Sequence, residues 1–411
     1  KTKAAMYAIS QIDTWQLLLI CVPSLELVEQ WEADVRLFYP DTPIIKCGSP
    51  YRGHKELLKS LTQARFPEQV VVISTYDSAQ GDYYMAKWRL AKTEQFAMIC
   101  DEVHNMGAPK SQCLMELNPA YRIGLSATPR RNFDEIGSEK ILDFYHQNTF
   151  EFSIKDAQRE HYLVEYQYRI LPCAMPEDDW ELYKTFSREI VQLQHTLEQE
   201  DNEKEQLRLR QRIEGRYRDR AKLLKKNDQK AQALQTIFDE IPPTARVLIY
   251  GDDLHHLAEI GQALDHMGKY YFKYTGELDA QKERPTILKE PRQGIRKILL
   301  AVGCLDEGID IPACDVAVFI SSSTSERQFI QRRGRVLRVA PGKTSAWIYD
   351  YLVYPILSAR TNDDERRLAL SMIDAQYRRI NLMVEDAING IQERQKLDQF
   401  LSQRSLNPYD F

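Results

Sequence analysis

The sequence predicts an α/β protein made of two parallel-sheet domains in tandem, with a helical insertion between them and a helical C-terminal tail. Three observations carry this. Short continuous apolar runs, each followed by polar turn residues and a helical stretch, recur near the start of the chain and again after residue 241. Unbroken apolar strands between helices mark a parallel sheet covered on both faces. Between the two sets the texture changes to a long charged stretch with almost no Gly or Pro. A chain of 411 residues also has room for two or three domains, each with its own core.

The elements follow in order. In the first domain, residues 1–174, the strands are Leu17–Val22, Val70–Ser74, Phe96–Cys100 and Tyr121–Leu125. The insertion, residues 175–241, has a sparse apolar stripe of Leu193, Leu197, Leu207, Ile213, Leu224 and Leu234, which predicts a pair of long helices in an antiparallel hairpin. Ile241-Pro242-Pro243 ends it. Arg208 to Lys230 is rich in Arg and Lys. Its simpler reading is a solvated helical face, and its sharper reading is a contact for nucleic acid or a protein partner. The second domain, residues 242–357, has strands at Arg246–Tyr250, Tyr270–Tyr274, Lys297–Val302, Val316–Ile320 and Ala346–Tyr349. The aromatic cluster Tyr270, Tyr271, Phe272 and Tyr274 invites a base-stacking role, but reads first as a buried strand. Residues 358–411 form a charged helical tail.

Composition bounds function loosely. The net charge of −5 neither favours nor excludes nucleic acid, since a basic groove can sit on an acidic protein. The seven cysteines are scattered, without a CxxC pair, which predicts reduced thiols, a cytoplasmic location and no zinc site. No apolar run is long enough to cross a bilayer, so no membrane partner is expected.

Several stretches carry chemistry. The chain opens on "KTKAAMYAIS", and Lys1-Thr2 before a helix is how a phosphate-binding loop ends: Lys1 would reach the β- and γ-phosphates and Thr2 would offer its hydroxyl to Mg²⁺. The cradle amides would belong to a glycine-rich loop directly upstream of Lys1, and such a loop is expected there. In "ICDEVHN", Asp101 and Glu102 end an apolar strand, where open α/β sheets bind ligands. Asp101 would hold Mg²⁺ through water, and Glu102 would orient and deprotonate the attacking water. His104 would report nucleotide state to its neighbours, or serve as a hydrogen-bonded core histidine. In "GLSATP", Ser126 and Thr128 suit either a turn or a relay from the ATP site to a second ligand. "LDEGIDIP" puts Gly308 and Asp310 in a loop after a strand, where it can face both ATP and a bound strand. In "QRRGRVLR", Arg335 and Arg338 are three residues apart, so on a helix they share a face and can clamp phosphate oxygens. Gln331 stands beside them, and a basic surface helix is the plainer alternative.

The order of these stretches is more specific than any one of them. The sequence resembles the superfamily 2 helicases and translocases of DEAD/DEAH type, here with a DEVH box. The match spans roughly residues 1–355. Lys1-Thr2 matches the end of motif I, Asp101–His104 motif II, Ser126–Thr128 motif III, Gly308–Asp310 motif V and Gln331–Arg338 motif VI. "VPSLELVEQW", "STYDSA" and "VLIYGDD" are similar to motifs Ia, Ib and IV. The DEVH box and "RIGLSATPRR" look most like XPB-like repair helicases and bacterial restriction and defence helicases.

This resemblance implies two RecA-like domains that close on ATP, ATP-driven movement on DNA, and a role in repair, restriction or phage defence. It also implies that Pro23, Ser24, Thr75, Thr275 and Gly276 touch the sugar-phosphate backbone. An RNA-dependent ATPase and a nucleotide-gated clamp or scaffold are the alternatives. The helical insertion is a departure from the minimal two-lobe core and is where a protein partner would dock.

Overall fold

A computed structural model describes residues 1–48, 69–128, 130–131, 134–225, 228–274, 298–302, 314–321, 326–358 and 360–407. It divides into two compact units, Lys1–Glu151 and Phe152–Phe411.

In the first unit the described residues give strands β1 (Leu17–Val22), β2 (Ile44–Cys47), β3 (Val70–Thr75), β4 (Phe96–Asp101) and β5 (Tyr121–Leu125), ordered β2-β3-β1-β4-β5. All are parallel. β1 and β3 are buried along their whole length, as their unbroken apolar sequences require. One face packs under the helices Thr2–Ser10 and Leu25–Phe38, through Met6, Ile9, Val28 and Trp31. The other packs under Tyr76, Met85, Trp88 and Ile141.

In the second unit the strands are β6 (Glu165–Met175), β7 (Val247–Tyr250), β8 (Tyr271–Tyr274), β9 (Ile298–Ala301), β10 (Val316–Phe319) and β11 (Ser345–Pro355). They pair in the order β6-β11-β10-β7-β9-β8. β6 overturns the expected domain boundary at residue 174. It runs parallel to β11 over the whole of both strands, so it belongs to the second sheet. The tail is not a separate segment either. Helix Asp363–Val384 buries Met372, Ile373, Tyr377 and Ile380 in the core of the second unit. It is also pinned by an ion pair between Arg379 Nε and the fully buried Asp350, 3.0 Å apart, with Tyr168 donating to the same carboxylate at 2.8 Å.

The insertion is three helices rather than two: Glu177–Glu198, Glu203–Lys225 and Asp228–Glu240. The first two form the expected hairpin. Arg216 pairs with Glu189 at 2.5 Å and lies over the Phe186 ring, and Arg220 lies over Tyr183. The third packs Leu234, Ile237 and Phe238 onto the second sheet.

The basic stretch 208–230 is therefore not one solvated face. Arg208, Arg210, Arg212, Arg218 and Lys222 are exposed, whereas Lys230 is buried. Lys230 Nζ donates to the carbonyls of Leu224 at 2.6 Å and Ile320 at 2.9 Å.

The aromatic cluster also departs from expectation. β8 is an edge strand, so Tyr270 before it and Phe272 within it are 78% and 48% exposed, while Tyr271 packs against Gly261. The six cysteines among the described residues are free thiols.

Candidate active site

The strand register assembles the first unit's motifs. Val22 is level with Thr75, Cys21 with Cys100, and Asp101 with Leu125. Pro23-Ser24, Thr75, the Asp101-Glu102 pair and Ser126 therefore leave the sheet along one carboxyl edge, the edge at which open α/β sheets bind ligands.

Asp101 is held in a fixed orientation. Its Oδ2 accepts the indole N–H of the buried Trp31 at 2.9 Å, and its Oδ1 accepts the backbone N–H of Glu102 at 3.0 Å. Its main-chain carbonyl accepts the Tyr76 hydroxyl at 2.8 Å. Burial pushes the Tyr76 phenol well above its usual range, which keeps it a donor.

Glu102 turns the chain with φ 46° and ψ 55°, a left-handed conformation uncommon outside glycine, asparagine and aspartate. Such a residue costs on the order of 1 kcal/mol and persists where its surroundings over-determine it. Here the Glu102 carbonyl accepts both the backbone and the side-chain N–H of Asn105, at 2.9 and 3.0 Å.

His104 is buried, with Nδ1 3.5 Å from Glu102 Oε2. Its carbonyl accepts Arg131 Nη1 at 2.6 Å, while Arg131 Nε donates to Asp134 Oδ2 at 2.6 Å. Gly107 makes that crossing possible, since a Cβ there would stand 2.4 Å from Arg131 Cδ. The Gly137 backbone N–H and the Arg131 guanidinium together hold the Asp134 carboxyl below its usual range.

A carboxylate offers about four acceptor positions, and the described N–H donors use two of those on Asp101. The remaining positions could take part in holding a hydrated Mg²⁺ that has few protein ligands and is shared with phosphate. No group of three or more His, Cys, Asp or Glu among the described residues could hold a metal by itself.

The other expected residues fall as follows. Lys1 is the exposed N-cap of the Thr2–Ser10 helix, and Thr2 is the first residue of that helix. Ser24 caps Leu25–Phe38 by accepting from the Leu27 N–H at 3.5 Å. Thr75 is buried and caps Tyr76–Ala79, accepting from the Ser78 N–H at 3.4 Å. The Ser126 hydroxyl is used locally: it donates to the Thr128 carbonyl at 2.7 Å and accepts the Thr128 N–H at 3.1 Å. Thr275, Gly276, Gly308 and Asp310 lie outside the described residues.

In the second unit the helix Glu326–Val336 carries Gln331 and Arg335. Arg338 is not on it. The helix stops two residues earlier, and Arg338 forms an antiparallel bridge with Leu163. The shared helical face expected for the two arginines does not exist, because the chain turns to pair Val164 N–H with the Leu337 carbonyl at 2.9 Å. Arg332 and Arg333 are both buried. Arg332 lies over the Tyr250 ring at 4.9 Å. Arg333 Nη1 reaches the Leu382 carbonyl at 2.7 Å and Asp386 at 3.1 Å. Trp31, Tyr76 and Arg131 escaped the sequence reading. Trp31 and Tyr76 meet Asp101 across 70 and 25 positions respectively, and no local spacing announces such contacts.

Comparison with known proteins agrees with this arrangement. Residues 1–131 match the family described as type III restriction enzyme, res subunit, and residues 229–340 match the helicase conserved C-terminal domain. The DNA 3'-5' translocase XPB2 of Sulfurisphaera tokodaii is 23% identical over 358 residues, covering 82% of this chain and 72% of the relative. A putative DNA 3'-5' helicase, Rad25, of Haloarcula marismortui is 25% identical over 350 residues, 83% of this chain and 46% of its own length. Among solved structures, the type ISP restriction-modification enzyme LlaBIII bound to DNA aligns over 93% of this chain and 28% of its own, with TM-score 0.56 and 16% identity. The Pyrococcus furiosus Hef helicase domain aligns over 86% of this chain and 90% of its own, with TM-score 0.50 and 16% identity. No helix among the described residues is long and apolar enough to cross a membrane. An acidic pair at a parallel strand end, restriction-type sequence in the first unit and helicase sequence in the second, together with the XPB-like relatives, support a superfamily 2 helicase of XPB-like and restriction type.

Proposed function

We propose that this chain is the motor of an ATP-dependent DNA helicase or translocase. The observation that carries the reading is the acidic pair. Asp101 is fixed by donors from two separate segments, and Glu102 follows it in a left-handed turn with its Oε2 3.5 Å from His104 Nδ1. Preorganised charge of this kind needs no reorganisation during reaction.

Asp101, together with Thr2, would hold the Mg²⁺ of Mg·ATP, which neutralises charge on the β- and γ-phosphates when bound. Lys1 takes the phosphate end of the nucleotide, and Gly308 and Asp310 also act on it. Glu102 orients the attacking water and accepts its proton. Arg335 and Arg338, with Gln331, supply positive charge and hydrogen bonds as charge develops on the transferred phosphoryl group. His104, Ser126 and Thr128 pass the state of the acidic pair to the segments that meet nucleic acid: Pro23, Ser24 and Thr75 here, Thr275 and Gly276 in the second unit.

DNA is the substrate we favour, because three archaeal relatives that align over more than four fifths of this chain are named as DNA 3'-5' translocases or helicases. The hairpin adds a second contact. Lys204, Arg208, Arg212, Arg218 and Lys222 fall on one solvent-facing side of Glu203–Lys225, opposite the buried Leu209 and Ile213. A row of cations at such spacing suits a phosphate backbone.

The test is ATP turnover of the protein with single-stranded DNA, duplex DNA and RNA in turn. We expect strong stimulation by DNA and little by RNA. Equal stimulation by RNA would move the reading to an RNA-dependent ATPase, and no stimulation by any of the three would leave a nucleotide-gated clamp.

A further inference from the structure

We infer that Trp31 and Tyr76 are positioning residues for Asp101, and that they tie the two segments assigned to the DNA strand directly to the magnesium-holding carboxylate. The inference rests on the reading of Asp101 given above.

The two residues reach Asp101 from opposite faces of the same sheet. Trp31 is in the core under Leu25–Phe38, and Tyr76 is in the core on the other side. Trp31 is 1% exposed and spends its only polar atom on the Asp101 side chain, at 2.9 Å. Tyr76 is 5% exposed and spends its hydroxyl on the Asp101 main-chain carbonyl, at 2.8 Å. A phenylalanine would supply the packing at Tyr76, and most of the aromatic contact at Trp31. The indole N–H and the phenol are needed only for the hydrogen bonds.

What makes this more than local support is where each donor is anchored. Trp31 sits on the helix capped by Ser24, two turns from it, and Ser24 is one of the residues assigned to the strand. Tyr76 directly follows Thr75, another such residue, which caps the helix Tyr76 begins. A displacement of either segment by bound DNA therefore pulls on one of two hydrogen bonds that end on Asp101. One donor sets the carboxylate's rotation, and the other sets the height of the strand end that carries it. Donors that orient a metal-binding carboxylate typically govern metal affinity by about 10- to 100-fold.

The experiment measures Mn²⁺ binding by electron paramagnetic resonance, in the presence of a non-hydrolysable ATP analogue, with and without duplex DNA. Wild type, Trp31→Phe, Tyr76→Phe and Asp101→Asn are compared, together with the Trp31→Phe/Asp101→Asn double variant. Thermal unfolding verifies that each is folded. Tyr76→Phe removes a single oxygen, so it is informative even if the larger Trp31 change disturbs the core.

We expect Mn²⁺ affinity to fall about 10-fold in Trp31→Phe and less in Tyr76→Phe. DNA should change the affinity in wild type but much less in either variant. Trp31→Phe should add nothing on top of Asp101→Asn, because the two act through one group. Wild-type Mn²⁺ affinity and an intact DNA effect in both Phe variants, alongside weakened binding in Asp101→Asn, would overturn this inference and leave the Asp101 assignment standing. Unchanged binding in Asp101→Asn itself would overturn both.

Discussion

Two segments of similar length carry dense charge in the motifs, and the fold treats them oppositely. In Asp101–Gly107 the charged residues stay at the sheet edge, and the uncharged ones around them, Trp31, Tyr76 and Asn105, are spent on holding them there. In Gln331–Arg338 the fold splits a run of like charges. Arg332 and Arg333 are pulled into the core, onto Tyr250 and onto the Asp386 and Leu382 groups. Arg335 is partly exposed at the helix end, and Arg338 is carried off the helix into a bridge. Adjacent charges thus need not share a job. The first segment is built around its carboxylates, whereas the second uses half of its arginines as structural cross-links.

The comparison predicts that neighbouring arginines fail in different ways when replaced. Arg335→Ala should slow DNA-stimulated ATP turnover by about 10³-fold, the usual scale for an arginine acting on transition-state charge, with DNA affinity nearly unchanged. Lost DNA binding with turnover retained would place Arg335 on the strand surface instead. Arg333→Met should act through stability, because it strands Asp386 and the Leu382 carbonyl. A loss of about 3 kcal/mol is expected, read as a lowered urea midpoint. A full-stability variant with dead turnover would put Arg333 in the site and break the contrast.

A smaller effect extends the contrast to the insertion, where buried Lys230 is set against the exposed cations of the neighbouring helix. Burial pushes the Lys230 ammonium down to about 7. The unfolded chain, with an ordinary lysine near 10.4, then binds more protons between those values, so this group makes stability rise with pH across that window. The stability difference between wild type and Lys230→Met should shift in favour of wild type by about 2.5 kcal/mol from pH 6 to pH 9. A difference independent of pH would show that Lys230 titrates as an ordinary surface lysine.

Much of this was legible in the sequence, for identifiable reasons. β1, β3, β4, β7 and β10 are fully or almost fully buried central strands, and burial on both faces writes an unbroken apolar run. The strands that escaped are edges. β2 is four residues with alternating burial, and β6 alternates buried and half-exposed positions through Tyr166, Tyr168 and Ile170, so neither reads as a core strand. β8 misled in the opposite sense: its aromatic residues suggested burial, but an edge position exposes Phe272.

The acidic pair was legible because strand end and carboxylates are contiguous. Its supports were not, since Trp31, Tyr76 and Arg131 arrive from other elements. The departure of Arg338 from the helix was hidden as well, because it depends on pairing with Leu163, 175 positions away by the numbering of the bridge.

Glu102, set in a left-handed turn at the strand end, is the residue on which the proposed hydrolysis depends. The decisive measurement is duplex-stimulated ATP turnover of Glu102→Gln, made alongside equilibrium binding of ATP and DNA. The amide fits the same space but cannot take a proton from water. The prediction is a loss of about 10²–10⁴-fold in turnover with both binding constants close to wild type. Turnover near the wild-type rate would contradict it.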